Sequence, residues 1–287
     1  MSNKANTNAK IKLFVSRLVV YAILFFLSFL CLFFFWLMFV NSTRSNAQLQ
    51  SGFELLPKGN FLTNFYNAWH DATISIPIGM KNSFIVAILS ALLTTYFSAL
   101  TAYGTYVYNF RFKKFVHLFI LAIMMIPSQV SAVGFIQIAF KYHLTNKLWM
   151  LIIPSVAAPA TYFYMYQYLK ATLPIEMVEA ARIDGSNEFR IFNEVVLPIM
   201  KPAMAVQMIF SFVGSWNNYF MPSLLLNDIK KKTVPVMIAT LRSADFTKFD
   251  MGKVYMLMLM AILPVMVIYV ILSKSIIKGV TSGSVKG

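Results

Sequence analysis

The chain has 287 residues, of which 59% are hydrophobic and only 12% charged, with a formal net charge of +15. A soluble globular domain carries roughly a quarter charged residues, so a large water-soluble core is excluded and a polytopic membrane protein is the class that fits. A lone cysteine, Cys31, without C-x-x-C or Cys/His clusters, leaves no internal disulfide and no zinc site, and the basic excess reads as headgroup-facing charge, not nucleic-acid binding.

Lys4, Lys10, Lys12 and Arg17 precede the first apolar run, 19–40. Its 22 residues reach about 33 Å as a helix. That exceeds the apolar core of a signal peptide, and no A-x-A cleavage site follows, so a retained span is expected. Five further charge-free windows lie at 84–107, 116–140, 148–169, 203–226 and 254–272, each long enough for ~30 Å of hydrocarbon. Only a helix satisfies its own backbone within one such segment. The expected fold class is therefore all-α, with six transmembrane helices. Pro127, Pro154, Pro159, Pro222 and Pro264 are expected to kink or end them. Tyr162, Tyr164 and Tyr166 are assigned to an interfacial aromatic belt, and His70, His117 and His143, near span ends, to interfacial or solvated positions.

Six spans place both termini on one side. The segments on that side carry 14 Lys and Arg, against 11 on the other. The basic N-terminus and the first two loop pairs favour cytoplasmic termini, whereas Lys230, Lys231 and Lys232 run against that orientation. The expected organisation is a cytoplasmic N-terminus (1–18), a membrane region (19–272) and a cytoplasmic tail (273–287). The membrane region carries outer loops 41–83 and 227–253 and a cytoplasmic loop 170–201.

That cytoplasmic loop contains EAARIDGSNEFRIFNEVVLP, the most acidic stretch of the chain. Pro174 suits a first helical turn, and Glu176 complements the N-terminal dipole. Ile175, Val178 and Arg182 fall on one face, and Asp184-Gly185 supplies a stop. Ser186 is the expected N-cap of a second helix carrying Glu188, Phe189, Phe192 and Val195, which Leu197-Pro198 closes. Two short amphipathic helices joined by a tight turn are expected outside the membrane. One reading is a solvated connector. The other is a docking surface, where the small Ala180, Ala181 and Gly185 admit a close approach and Glu179 meets a basic group.

In the fifth window, Trp216, Asn217, Asn218 and Tyr219 combine aromatic faces with amides, the chemistry a sugar ring needs. Amides at this depth either line a cavity or join helices, and the adjacent Gly214 and Ser215 suit close packing. Gln129, Ser131 and Gln137 are weaker candidates for a lining role. No phosphate-cradling G-x-x-x-x-G-K-[ST] occurs, and no nucleophile–base pair or metal-ligand set is present. Catalytic residues, metal ligands and a cofactor are not expected in this chain.

The pattern E-A-A-x-x-x-G, followed a dozen residues on by L-P, resembles the EAA loop of permease subunits of bacterial ABC importers. LLPKGNFLTNFYNAW, KNSFIVAILSALLTTYFSALTAYG, WNNYFMPSLLL and GVTSGSVKG are similar to the maltose-type (MalG-like) carbohydrate branch. The resemblance implies a permease subunit of an oligosaccharide importer in the bacterial cytoplasmic membrane, forming half of the translocation pathway with a second permease subunit. It implies that Glu179, Ala180, Ala181, Asp184, Gly185, Leu197 and Pro198 couple to a cytoplasmic ATPase dimer, which binds the ATP and Mg. Glu179 would pair with a basic residue there, and Gly185 would form the turn. The segment 279–287 would also reach the ATPase, and the loop 227–253 an extracytoplasmic solute-binding protein. In the maltose-type system the other permease holds the sugar, which leaves this subunit the role of wall. Arg182, bulky and basic between the Ala pair and Gly185, departs from the plain motif.

Three other readings stand beside this one: an ABC permease for a different solute, an ion-coupled secondary transporter, and a membrane scaffold. Secondary transporters usually place acidic groups or His inside their spans, whereas all ten acidic residues here lie outside the six windows.

Overall fold

The structure is a computed structural model that describes residues 2–71, 74–242 and 250–284, leaving aside the side chains of 2–12, 241–242 and 272–284. Among the described residues the chain is helical, without strands. It divides into two compact units: one of residues 1–70 and 245–260, the other of 71–244 and 261–287.

In the first unit, α1 (Ser2–Ser42) is followed by α2 (Asn46–Gln50) and α3 (Phe61–Trp69). The most apolar window of α1 is entirely unburied within the chain. Phe25, Phe26, Phe29 and Phe34 point outward, as suits a helix facing lipid or another membrane helix. The segment after α1 is built around buried polar groups. The Arg44 guanidinium donates to the carbonyls of Gln48 and Gly52, and Asn64 Nδ2 donates to the carbonyls of Ser42 (2.8 Å) and Arg44 (2.9 Å). The last element, α14 (Met251–Ser284), begins in this unit. A Cβ at Gly252 would collide with the Arg44 carbonyl oxygen and stand 2.8 Å from the Asn64 amide, so only glycine permits this approach.

In the second unit, α4 (Ile76–Val107) leads to α5 (Lys113–Met124), α6 (Ser128–Lys141), α7 (Trp149–Ile152) with a 3₁₀ turn at Ile153–Val156, and α8 (Pro159–Thr172). Next come α9 (Ile175–Ile183) and α10 (Glu188–Arg190), a π-helical turn (Ile191–Val196), α11 (Leu197–Trp216), α12 (Phe220–Leu225) and α13 (Val234–Arg242). The central helix is α4, packed principally against α11 and α8. It buries a face of small residues, among them Ala87, Ser90, Ala91, Thr94, Thr95, Ser98, Ala99 and Ala102, which lets neighbouring backbones come close. Near the far end of α4, Tyr103 joins Tyr162, Met165, Leu169, Val178, Phe192 and Met200 in the main buried cluster.

The six apolar windows do not become six unbroken helices. Among the described residues four helices are long and apolar enough to cross a membrane: Leu13–Ser42, Ile76–Val107, Glu188–Trp216 and Met251–Ile271. A fifth crossing results if α5 and α6 form one span, although they meet at 94°. Pro127 stands at that break as the residue capping α6. Window 148–169 is divided by Pro154 and Pro159, which open the 3₁₀ turn and α8. Each proline lacks an N–H; before Pro159 the predecessor Ala158 leaves helical geometry, with ψ of 83°, while Ile153 before Pro154 stays helical. Window 203–226 ends early as a helix, at Trp216. Pro222 and Pro264 lie within α12 and α14 without ending them. Residues 2–18 belong to α1 itself. Tyr162 also departs from the belt assignment: it is buried, donates to Thr105 Oγ1 (3.0 Å) and lies 2.8 Å from His117 Nδ1. Packing between α4, α5 and α8 removes it from any interface with lipid headgroups.

Candidate functional site

The acidic loop folds as two helical segments about a tight turn. Pro174, with ψ 131°, is the capping residue before α9 and not its first helical residue. Val178 is fully buried and keys α9 into the main cluster alongside Ile191 and Phe192. At the other end, Ser186 N–H donates to the Ala181 carbonyl (3.1 Å) and Gly185 N–H to that of Arg182 (3.0 Å). This is a Schellman closure, which requires a left-handed residue, and Gly185 has φ +78°. The second cap is one residue later than expected: Asn187, not Ser186, accepts from Arg190 N (2.8 Å) through its side chain.

Leu197-Pro198 does not close the second helix. The chain continues from α10 through the π turn into α11 as one apolar helix, Glu188–Trp216. Within the π turn Leu197 N–H reaches back five residues to Phe192 O. Pro198 then occupies the first turn of the regular helix, where its missing N–H matters least. Proline therefore marks a change of winding here, and not a terminus.

The outward surface of the loop combines carboxylates with apolar groups. Glu179, Ala180, Asp184, Gly185 and Pro198 are exposed, while Ala181 and Leu197 are half-buried. Ile183 and Phe189, on either side of the turn, are 86% and 71% exposed. The inner surface is fastened to the rest of the unit by a four-residue cluster that the sequence patterns do not single out. Glu188 accepts from Arg182 Nε (2.6 Å) and Tyr103 Oη (2.8 Å), and the Arg182 guanidinium lies over the Tyr108 ring. The Glu188 carboxylate raises the Arg182 guanidinium above its ordinary pKa. The ion pair is partly exposed and contributes little by itself. Its effect is positional: it turns Arg182, the residue that departs from the motif, back toward α4. A six-residue Arg–Glu spacing across a Gly turn is the local signal for this cluster.

The residues at 216–219 divide between two cavities. Trp216 is 2% exposed; its Nε1 donates to the Ala261 carbonyl (3.1 Å), and its ring packs on Phe84 and Phe212. Trp216, Asn217 and Tyr219 line a cavity of about 640 Å³ with Val234, Pro235 and Ile238. Asn218 lines a different cavity, of about 580 Å³, together with Ser131, Ser90, Thr94 and Ser211. Gln129 and Gln137 are exposed and line neither. Ser90, Thr94 and Ser211 lie inside apolar windows; the recurrence of Ser and Thr every three to four residues along α4 is the signal that marks the first two.

The loop 227–253 is shaped by amide clamps. Asn82 Nδ2 donates to the carbonyls of Lys230 and Lys232 (both 3.0 Å), and Asn146 Oδ1 accepts from the N–H groups of Asn227 (2.7 Å) and Asp228 (2.8 Å). These bonds fix the backbone that carries the Lys triplet. Residues 243–249 of this loop lie outside the described residues, as do 285–287 of the tail; the tail is otherwise the end of α14.

Comparison with known proteins gives consistent results. Residues 94–278 match the family model described as binding-protein-dependent transport system inner membrane component. The arabinooligosaccharides transport system permease AraQ of Bacillus subtilis is 33% identical, with 72% of each chain covered. The melibiose/raffinose/stachyose import permease MelC of the same organism is 32% identical over 88% of this chain and 91% of the relative. The trehalose/maltose permease MalG of Thermococcus litoralis is 29% identical over 94% and 96%. A bacterial ABC transporter involved in import of the polysaccharide alginate contains a chain of the same fold, with TM-score 0.78 and 20% identity over 91% of this chain and 96% of that one. With more than half of its length matched by that family model, the chain belongs to the binding-protein-dependent transport system inner membrane components: it is a multi-pass ABC-importer permease, not an enzyme.

Proposed function

We propose that this permease imports an oligosaccharide, and that the loop between α8 and α11 transmits the motion of a separate cytoplasmic ATPase. The carbohydrate assignment is supported by relatives named for arabinooligosaccharides, for melibiose, raffinose and stachyose, and for trehalose and maltose. The observation that carries the coupling role is the two-sided loop, with Val178 and Glu188 fastened inward and Glu179, Asp184, Ile183 and Phe189 displayed outward. A carboxylate beside exposed apolar groups is a surface made for a partner.

In this reading the chain is half of the pathway, paired with a second permease in a bacterial cytoplasmic membrane, with both termini and the coupling loop inside. ATP and Mg are bound by the ATPase dimer, whose closure moves the loop and rocks the helices between inward- and outward-open forms. Glu179 pairs with a basic residue of the ATPase, while Ala180, Ala181 and Gly185 admit its surface. Asp184 lies in the turn, and Leu197 and Pro198 pass the movement into α11. Asn217, Asn218 and Tyr219 contribute to the pathway wall, and Trp216 fixes the helix end that carries them. The Lys triplet, on its clamped backbone, meets an acidic patch of the extracytoplasmic solute-binding protein.

The test is Glu179→Lys in the complex assembled with its partners. Membrane insertion and assembly are expected to persist while sugar-dependent ATP hydrolysis is lost, because an attraction becomes a repulsion. Wild-type hydrolysis in this variant would remove Glu179 from the docking role.

A further inference from the structure

The second cavity differs in chemistry from its surroundings. It lies within the second unit, bounded by α4, α6, α7 with its 3₁₀ turn, α8, α11 and α12. Its volume of about 580 Å³ falls in the range of small-molecule sites. Eight of its lining residues carry hydroxyls, one carries an amide, and none is ionisable. Such a wall offers donors and acceptors without charge, which suits a neutral polyol and gives an ion or an acidic solute no counter-charge. Phe135 and Pro154 supply apolar surface, against which the C–H face of a sugar ring packs.

Ser90 provides the second observation. It is 4% exposed, and its Oγ is buried without a hydrogen-bond partner. A buried hydroxyl left unpaired is unfavourable, and Ser90 borders the cavity, so a change of its side-chain rotamer would turn this hydroxyl toward a bound group. Its neighbour Thr94 already donates to the Ser155 carbonyl (2.8 Å), so the Thr94 oxygen faces its surroundings as an acceptor. The first cavity, bordered by Val234, Pro235, Ile238 and Ala239, has no comparable density of hydroxyls.

We propose that this hydroxyl-rich cavity is a carbohydrate-binding subsite belonging to this subunit itself, with Asn218, Ser90, Ser131 and Ser211 on the rim of a sugar ring and Phe135 against its apolar face. The inference rests on the carbohydrate reading above and goes beyond the role of wall. It is tested in the transporter assembled in liposomes with its second permease, ATPase and binding protein. Uptake is first measured for maltose, raffinose and arabinotriose, and the best-transported sugar becomes the probe. Uptake of none of the three overturns the carbohydrate reading and the subsite with it.

With a probe in hand, Cys31, which is exposed, is replaced by Ser, and Ser131→Cys is introduced for modification by a small thiol reagent. The probe sugar is expected to slow modification at least fivefold in the absence of binding protein, while glutamine at the same concentration does not. In a background of Ser90→Ala with Asn218→Ala, protection is expected to need roughly tenfold more sugar. Modification that is absent, or equally fast with and without sugar, in a complex that transports that sugar overturns the subsite alone. The Ser131→Cys measurement decides even if the double variant assembles poorly.

Discussion

Gly185 sits at φ +78°, and a side chain there costs ~1–2 kcal/mol through contact between Cβ and the backbone. Gly185→Val is expected to unwind the turn without disturbing the buried side of α9. Complex assembly should survive while sugar-stimulated ATP hydrolysis falls severalfold, measured side by side with wild type. Gly252 is constrained differently. Its backbone is ordinary, but the Arg44 carbonyl occupies the place of a side chain. Gly252→Ala is expected to destabilise the first unit by ~1–3 kcal/mol, the usual cost of overpacking, read as a lower midpoint in thermal unfolding of the detergent-solubilised protein. An unchanged midpoint would mean that the segment around Arg44 yields easily. Both glycines are plain in the sequence, but only Gly185 has its reason nearby. The reason for Gly252 lies more than two hundred positions earlier in the chain.

At the scale of elements, local chemistry was legible and distant chemistry was not. Pro174, Asp184 and Gly185 act on neighbours within a turn, so the bounds of α9 follow from their spacing. The clasp of Tyr103 on Glu188 joins positions 85 apart, and no periodicity reports it. The spans show the same division. Hydropathy registers how apolar a run is, and it found every long helix. It is blind to whether the backbone turns within the run, hence the 94° bend between α5 and α6 and the break before α8. The proline positions carried that information, which Pro127, Pro154 and Pro159 express and Pro222 and Pro264 do not. The hydroxyls around the second cavity were hidden in another way. Ser and Thr are only weakly polar on a hydropathy scale, so a few of them scattered along an apolar run lower its mean only slightly.

For the whole molecule, sidedness is the property on which the transport reading depends. In a Cys31→Ser background, Glu179→Cys should react with a membrane-impermeant thiol reagent only from the cytoplasmic face of vesicles, and Lys231→Cys only from the opposite face. Reaction of both from the same face would break the link between an outer loop for a binding protein and an inner loop for an ATPase. The six-residue π turn, Ile191–Val196, has a consequence for how the two ends of that link are phased. A π turn holds one residue more than regular winding requires, and one residue is about 100° of azimuth on an α-helix. Because the π turn absorbs its extra residue without changing the phase, deleting a single residue from 193–195 should let the rod rewind as ordinary α-helix with its far end facing as before. Deleting one from 204–207, in regular winding, should instead swing everything beyond it through that angle. Ser211 and Asn218 would then face away from their present neighbours while the acidic hook kept its grip. This second variant is expected to split ATP consumption from sugar movement, as a crankshaft with one throw out of time still turns but drives nothing.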